Sequence, residues 1–354
     1  MATQNTKEQY FNSLKLISEK VHVFIYEKIK HLESDCTPEL YEQIERLPIK
    51  RQRGNIFRAL LTDLLYKTLS SEPNENLVAL CSLSELNNYN AYLDNWILDN
   101  KVNIWNRENP RKEISYITIA SGMYREMVEK IISELSLSDR QKLDISTVMS
   151  LSMNLSYQGQ ALDMRMSIEN FDDYQMEQKY LDMYEKKSLL QSGYLYGASA
   201  EIGAILANAN AETVQLAREI GKMIGTGLHI SNDLGDFAIL DQDTDFKFYQ
   251  DQLADLKNGR LTLPIWYVLK NGTEQEKKLF RESVNKEIDK KDQMIILRTL
   301  HSSGAYAYCK KLIRKYCSES KKLIKKLPES DARNILYYST VIIRNNKYLA
   351  NLNK

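Results

Sequence analysis

Residues 227–236 read GLHISNDLGD, a short run with several oxygen ligands at helical spacing. On a helix, Asn232 and Asp236 share a face, with Asp233 beside them. His229 precedes them by about one turn and lies on the same side. Oxygen ligands grouped this way suit Mg²⁺, which takes carboxylates, keeps several waters and completes its shell with substrate phosphate. A solvated acidic helix end would show the same spacing, so the cluster needs a partner. Residues 255–264, DLKNGRLTLP, supply one: Lys257 and Arg260 flank a glycine turn, and Pro264 opens a helix. Lys247 lies between the two runs. Cations set across from a carboxylate cluster can clamp a diphosphate whose other oxygens bind metal. An ordinary surface turn is the plainer account of Lys257 and Arg260.

The elements that must position these groups read as helices. The 354 residues hold only six prolines and thirteen glycines, and the apolar residues recur with a helical period. Helices are predicted at 5–33, 38–46, 52–70, 75–100, 111–136, 139–166, 172–208, 211–240, 248–256, 262–271, 274–285, 289–301, 303–326 and 329–351. No alternating strand pattern competes with them. Asp139 with Gln141, and Ala211 with Glu212, fall where caps and first-turn acids belong. Segments 100–112 and 240–258 are predicted as loops. The expected fold class is all-α, with residues 1–354 as one helical domain.

Composition excludes several classes. Lys plus Arg number 48 and Asp plus Glu 47, so there is no basic excess for a nucleic-acid partner. Cys36, Cys81, Cys309 and Cys317 form no CxxC pair and no zinc spacing, and read as reduced, packed thiols. The N-terminal residues contain no apolar signal core, and no run of about 18 apolar residues predicts a transmembrane segment. A cytoplasmic location is expected.

Residues 227–264 resemble the second aspartate-rich motif of the trans-polyprenyl diphosphate synthases, in the isoprenyl diphosphate synthase superfamily. That family has a Gln, then DDxxD, then a loop Lys, then D-L-x-x-G-K-x-T-L-P. Here His229 stands for the Gln, Asn232 for the first Asp and Arg260 for the last Lys. Asp233, Asp236, Lys247, Asp255, Gly259, Thr262 and Pro264 match. Residues 180–188, YLDMYEKKS, resemble the helix whose Lys-Thr pair contacts diphosphate. Aligned from the left the pair is Lys187 and Ser188; aligned through Ile202, Gly203 and Ala204 it is Gln191 and Ser192. Residues 157–163, YQGQALD, resemble the GQ segment, which implies that Gln160 and Asp163 line the cavity. Residues 320–344 resemble the closing helices. The resemblance implies a class I isoprenoid synthase bundle around a central apolar cavity, a Mg²⁺ cofactor, an allylic prenyl diphosphate substrate and a homodimer.

The pattern breaks at the first aspartate-rich motif. Residues 85–99, ELNNYNAYLDNWILD, hold its place, with Asn95, Trp96 and Asp99 in register and Asp94 one residue early. Asn95 and Asp99 are about 40° apart on a helix, and Asp94 and Asp99 about 140°, so the last two cannot both face one metal without distortion. The candidate metal ligands are therefore Asp94, Asn95, Asp99, Asn232, Asp233 and Asp236. Asp99, Asp233, Asp236 and His229 are the candidate catalytic set, and Arg58, Lys187, Gln191, Lys247, Lys257 and Arg260 the diphosphate ligands.

The family's site for isopentenyl diphosphate is thinned. In GNIFRA (54–59), Asn55 replaces a Lys, Arg58 remains and Ala59 replaces a Pro. Asn88 stands for a His, and 100–107 offers no paired arginines. Each lost charged hydrogen bond costs about 1.5–3 kcal/mol. Lys50, Arg51 and Arg53 are the available replacements. In the family, bulky residues just before this motif close the tunnel floor, so the resemblance implies that role for Tyr89 and Tyr92, with Trp96 inside the motif; aromatic faces can also steady a carbocation, by about 0.5–2 kcal/mol each. Core packing accounts for them equally well, as it does for Tyr157, Tyr184, Tyr194 and Tyr196.

The sequence thus predicts Mg²⁺-dependent ionisation of an allylic diphosphate, first as a terpene synthase that cyclises or eliminates. The alternatives are chain elongation with isopentenyl diphosphate, prenyl transfer to a peptide acceptor, or a non-catalytic partner subunit of a synthase.

Overall fold

The computed structural model describes residues 4–51, 56–98, 109–237 and 253–344, in which the helical periodicity produces fifteen α-helices. They are α1 (Gln4–Lys30), α2 (Pro38–Arg51), α3 (Phe57–Leu69), α4 (Leu77–Leu98), α5 (Pro110–Glu134), α6 (Asp139–Arg165), α7 (Glu177–Ser188) and α8 (Tyr194–Leu206). Then follow α9 (Ala211–Gly235), α10 (Ala254–Lys257), α11 (Leu263–Asn271), α12 (Glu274–Glu282), α13 (Lys290–Ser302), α14 (Ala305–Ile324) and α15 (Asp331–Arg344). Caps set several starts. Ser138 and Gln141 form a capping box before α6, and the Asn210 side chain accepts from Thr213 N (2.8 Å) before α9.

Two expected helices differ. The predicted helix 172–208 is divided into a 3₁₀ turn (Ile168–Tyr174), α7, a π turn (Leu189–Gly193) and α8. Periodicity alone does not reveal where a helix widens by one residue. Of the predicted helix 248–256, the described part holds only the single turn α10. The isolated extended pairing Ser167–Arg260 joins the end of α6 to the turn after α10.

Helix α8, YLYGASAEIGAIL, is small or apolar on nearly every side, so it is stable only when surrounded. It packs against α3, α6 and α9. Small residues set these approaches. A Cβ on Gly203 would stand 2.6 Å from the Thr62 carbonyl oxygen, and one on Gly221 would overlap the Tyr196 carbonyl. The Thr62 hydroxyl donates to the Ser199 carbonyl at 2.8 Å, which ties α3 to α8. One apolar cluster runs from Tyr10 in α1 to Ile343 in α15. The four cysteines are free, and three are buried. No helix among the described residues is long and apolar enough to cross a membrane.

Candidate functional site

A cavity of about 330 Å³ opens among α3, α4, α6, α7, α8, α9 and the turn after α10. The acidic wall comes from the end of α9. Asn232, Asp233 and Asp236 all line the cavity with His229, as helical spacing predicts. The Asp236 carboxylate accepts from the backbone N–H groups of Ala254 (3.3 Å) and Asp255 (3.1 Å), so it also docks α10 against α9. Asp255 faces the same space. Burial, then the charges of Asp236 and Asp233, push its carboxyl well above the usual range.

Cations close the opposite side. Lys187, 1% exposed, places Nζ 2.8 Å from Asp163 Oδ1 and 3.8 Å from Asp233 Oδ2. Arg260 approaches the other oxygen of Asp163 at 3.3 Å. Burial works against the Lys187 charge, but Asp163 and then Asp233 more than offset it, so the ammonium is held above its usual range. Burial likewise opposes the Asp163 charge, and Lys187 with Arg260 pulls its carboxyl below the usual range. Arg260 is fixed by its backbone. Ile168 N donates to the Gly259 carbonyl (2.8 Å) and Leu261 N to the Met166 carbonyl (2.8 Å). Gly259 takes φ +66°, a turn that a side chain would strain.

His229 Nε2 is buried with no hydrogen-bond partner among the described residues and lies 3.8 Å from Asp233 Oδ1. Burial first, and the Lys187 charge, hold its imidazole below its usual range against the pull of Asp233 and Asp163. The ring is therefore neutral at neutral pH and able to accept a proton.

Both registers of the diphosphate helix reach the cavity. Lys187 and Gln191 line it together, being about one helical turn apart. The Gln191 amide, in the π turn, donates to Gln160 Oε1 at 2.6 Å. From α4, Asn88, Tyr92 and Asn95 line the cavity, and Arg58 comes from α3. The Arg58 guanidinium lies 4.3 Å above the Tyr196 ring. Arg58 Nε and Asn88 Nδ2 are buried without hydrogen-bond partners among the described residues.

Other expected groups lie elsewhere. Asp94 is a neighbour of Asn95 and so points about 100° away. Its carboxylate accepts from the Ser121 hydroxyl (2.6 Å) and the Tyr157 phenol (2.8 Å), which joins α4 to α5 and α6. It is a structural anchor outside the cavity wall. Tyr89 is fully buried against Tyr124, ring centroids 5.6 Å apart, and belongs to the core. Trp96 packs partly buried against the same core. Lys257 is half-buried outside the cavity wall, and its carbonyl accepts from Asn285 N at 2.8 Å. Tyr194 supports Lys222 rather than the cavity, with Nζ 5.1 Å from its ring. Arg53, Asn55, Asp99 and Lys247, and the side chains of Lys50 and Arg51, lie outside the described residues.

The sequence left Tyr184 among the general aromatics. Its phenol donates to Asp233 Oδ2 at 2.7 Å. The available signal was its place one turn before Lys187 on the same helix face.

Among the described residues no three His, Cys, Asp or Glu side chains form a ready metal cage. Mg²⁺ does not require one, because substrate phosphate and water complete its shell. Burial first, and then the neighbouring charges of Asp236 and Asp233, raise the Asp255 carboxyl, and a divalent cation fits a wall of carboxylates crowded in this way.

A polyprenyl synthetase family profile matches residues 105–299. A short chain isoprenyl diphosphate synthase of Methanocaldococcus jannaschii is 28% identical over 261 residues, covering 72% of this chain and 74% of that protein. Among solved structures, geranylgeranyl pyrophosphate synthetase of Pyrococcus horikoshii matches with a TM-score of 0.76 at 19% identity, over 95% of this chain and 98% of that one. A polyprenyl synthase of Caulobacter crescentus, complexed with calcium and isoprenyl diphosphate, matches with a TM-score of 0.75 at 16% identity, over 94% and 97%.

Proposed function

The chain belongs to the polyprenyl synthetase family, and on that premise we propose that it ionises an allylic prenyl diphosphate and couples the prenyl group to isopentenyl diphosphate. The observation that carries this reading is one cavity in which Asn232, Asp233, Asp236 and Asp255 face Lys187 and Arg260. Asn232, Asp233 and Asp236 would hold Mg²⁺ on one side, with Asn95 of α4 on the same cavity as a further oxygen ligand. Mg²⁺ bound there would polarise the diphosphate oxygens and ease the departure of the leaving group.

Lys187 and Arg260 are already charged and oriented by Asp163, so they meet the diphosphate without reorganising. Neutral His229 offers Nε2 to the proton that the coupled product loses. Tyr92 and Leu195 add apolar surface to the same cavity.

The names of the relatives support elongation, and the terpene synthase expectation finds no support in them. A physical observation points the same way. Among the described residues Arg58 Nε and Asn88 Nδ2 are buried donors with no partner, and a polar second substrate would satisfy them.

The test is incubation with Mg²⁺, labelled isopentenyl diphosphate and dimethylallyl, geranyl, farnesyl or geranylgeranyl diphosphate. Longer labelled products are expected. Unlabelled hydrocarbon or alcohol alone would replace this reading with the cyclase one, and no turnover with any of them would point to a partner subunit. A homodimer belongs to the same proposal. Leu143 (61% exposed) and Leu151 (54%) stand two turns apart on the outer face of α6 and supply the apolar surface it would bury. Light scattering of a Leu143→Glu/Leu151→Glu variant should give monomers, and an unchanged mass would remove that face from consideration.

A further inference from the structure

Tyr184 lies on the same face of α7 as Lys187, and both meet one oxygen of Asp233. The phenol donates to Oδ2 at 2.7 Å, and Lys187 Nζ stands 3.8 Å from that oxygen and 4.9 Å from the tyrosine ring centroid. Among the described residues the other oxygen, Oδ1, has only His229 Nε2 near it, at 3.8 Å, beyond hydrogen-bonding reach. The two oxygens of Asp233 therefore stand in different environments: one is occupied by protein donors, and the other is left to the cavity side.

The phenol has no freedom to swing away. Tyr184 is fully buried and stacks on Tyr180 (5.6 Å between centroids, 17° between planes). Tyr180 in turn stacks on Trp266 (4.3 Å, 2°). Tyr180 donates to the Leu261 carbonyl at 3.0 Å, and Trp266 Nε1 donates to the Tyr174 carbonyl at 2.8 Å. This column of rings runs from the carboxylate wall to the backbone beside Arg260, so it fixes the acids and the cations relative to each other.

We propose that Tyr184 is a positioning residue that restricts Asp233 to ligation through Oδ1 alone, and so selects a small octahedral cation over a larger one. The proposal rests on the metal–diphosphate reading above. Mg²⁺ takes single oxygens from carboxylates in near-ideal octahedra, whereas Ca²⁺ readily accepts both oxygens of one carboxylate. The phenol takes one lone pair of Oδ2 and fixes the carboxylate's orientation, which disfavours two-oxygen chelation by Asp233. Removing the phenol hydroxyl frees Oδ2 to turn toward Lys187 or toward the metal. The first movement weakens Mg²⁺ sites, and the second favours Ca²⁺.

The experiment is calorimetric titration of the purified chain with methylenebisphosphonate, a non-hydrolysable pyrophosphate analogue, in saturating Mg²⁺ or Ca²⁺. Tyr184→Phe keeps the ring and the stack. It is expected to weaken Mg²⁺-dependent binding by about tenfold and Ca²⁺-dependent binding by less, so that the Mg²⁺ preference falls. Tyr124→Phe, which loses a buried phenol bond to the Ile44 carbonyl far from Asp233, should keep the wild-type preference. Replacing Tyr184 with 4-aminophenylalanine keeps an N–H donor on the same ring and should restore most of the preference, and this variant also serves if Tyr184→Phe does not fold. Equal weakening with both metals, no change with either, or no restoration by the amino variant would overturn the proposal. If the wild-type chain bound the bisphosphonate with neither metal, the diphosphate reading would fall with it.

Discussion

Replacing Lys187 with Met separates a ligand-binding role from a structural one. The substitution removes a charge that is 1% exposed while keeping a long linear side chain. Breaking a buried ion pair usually costs about 3–5 kcal/mol, because one charge is left unpaired. Here neither carboxylate is stranded. Asp163 keeps Arg260 at 3.3 Å, and Asp233 keeps the Tyr184 phenol at 2.7 Å. The expected loss of stability is therefore below about 2 kcal/mol. Asp163→Leu is the contrast. It leaves Lys187 with Asp233 at 3.8 Å and takes the Asp163 contact from Arg260, so the full cost of about 3–5 kcal/mol applies. Catalysis should rank the two changes differently. If Lys187 meets the departing diphosphate, losing that charged hydrogen bond costs about 1.5–3 kcal/mol, or about 10- to 150-fold in kcat/KM. Urea unfolding followed by circular dichroism measures the first quantity, and incorporation of labelled isopentenyl diphosphate the second. A Lys187→Met enzyme that is as unstable as Asp163→Leu, or that keeps wild-type kcat/KM, would refute the argument.

Three further outcomes are expected. Asp94→Ala should lower stability by about 1–3 kcal/mol through the hydrogen bonds lost to Ser121 and Tyr157, with the Mg²⁺ requirement of turnover unchanged; a raised requirement would restore Asp94 as a ligand. The Tyr157 phenol is pushed up to about 12 by burial, then by the Asp94 hydrogen bond and charge. Its pKa is higher folded than unfolded, so its stabilisation is complete below about pH 10 and is lost as pH rises toward 12. Urea midpoints between those pH values should therefore fall more steeply in wild type than in Tyr157→Phe, and parallel curves would contradict the assignment. Chelation of divalent ions should abolish turnover, and adding Mg²⁺ with bisphosphonate at about 100 times its dissociation constant should stabilise the fold by about 2.7 kcal/mol in urea titrations; no gain would argue against the diphosphate site.

The amino-acid sequence by itself determined what depends on near neighbours. The period of apolar residues fixed the all-α class, and the spacing of His229, Asn232, Asp233 and Asp236 put four polar groups on one cavity wall, because both follow from the pitch of a single helix. The Gly259 turn and its Arg260 were legible for the same local reason. Assignments that required knowing what a helix packs against were not legible. Asp94 and Asn95 differ by one position, yet Ser121 and Tyr157 on other helices claim the first and the cavity receives the second. Tyr89 and Trp96 had the right residue types for a tunnel floor but were taken into the core. The motif register slightly favoured Lys187 over Gln191, and both line the cavity. The Tyr184–Asp233 bond joins residues 49 positions apart on different helices. Which oxygen of a carboxylate is already engaged, and by what, is set by the packing of α7 against α9, and no local spacing encodes it.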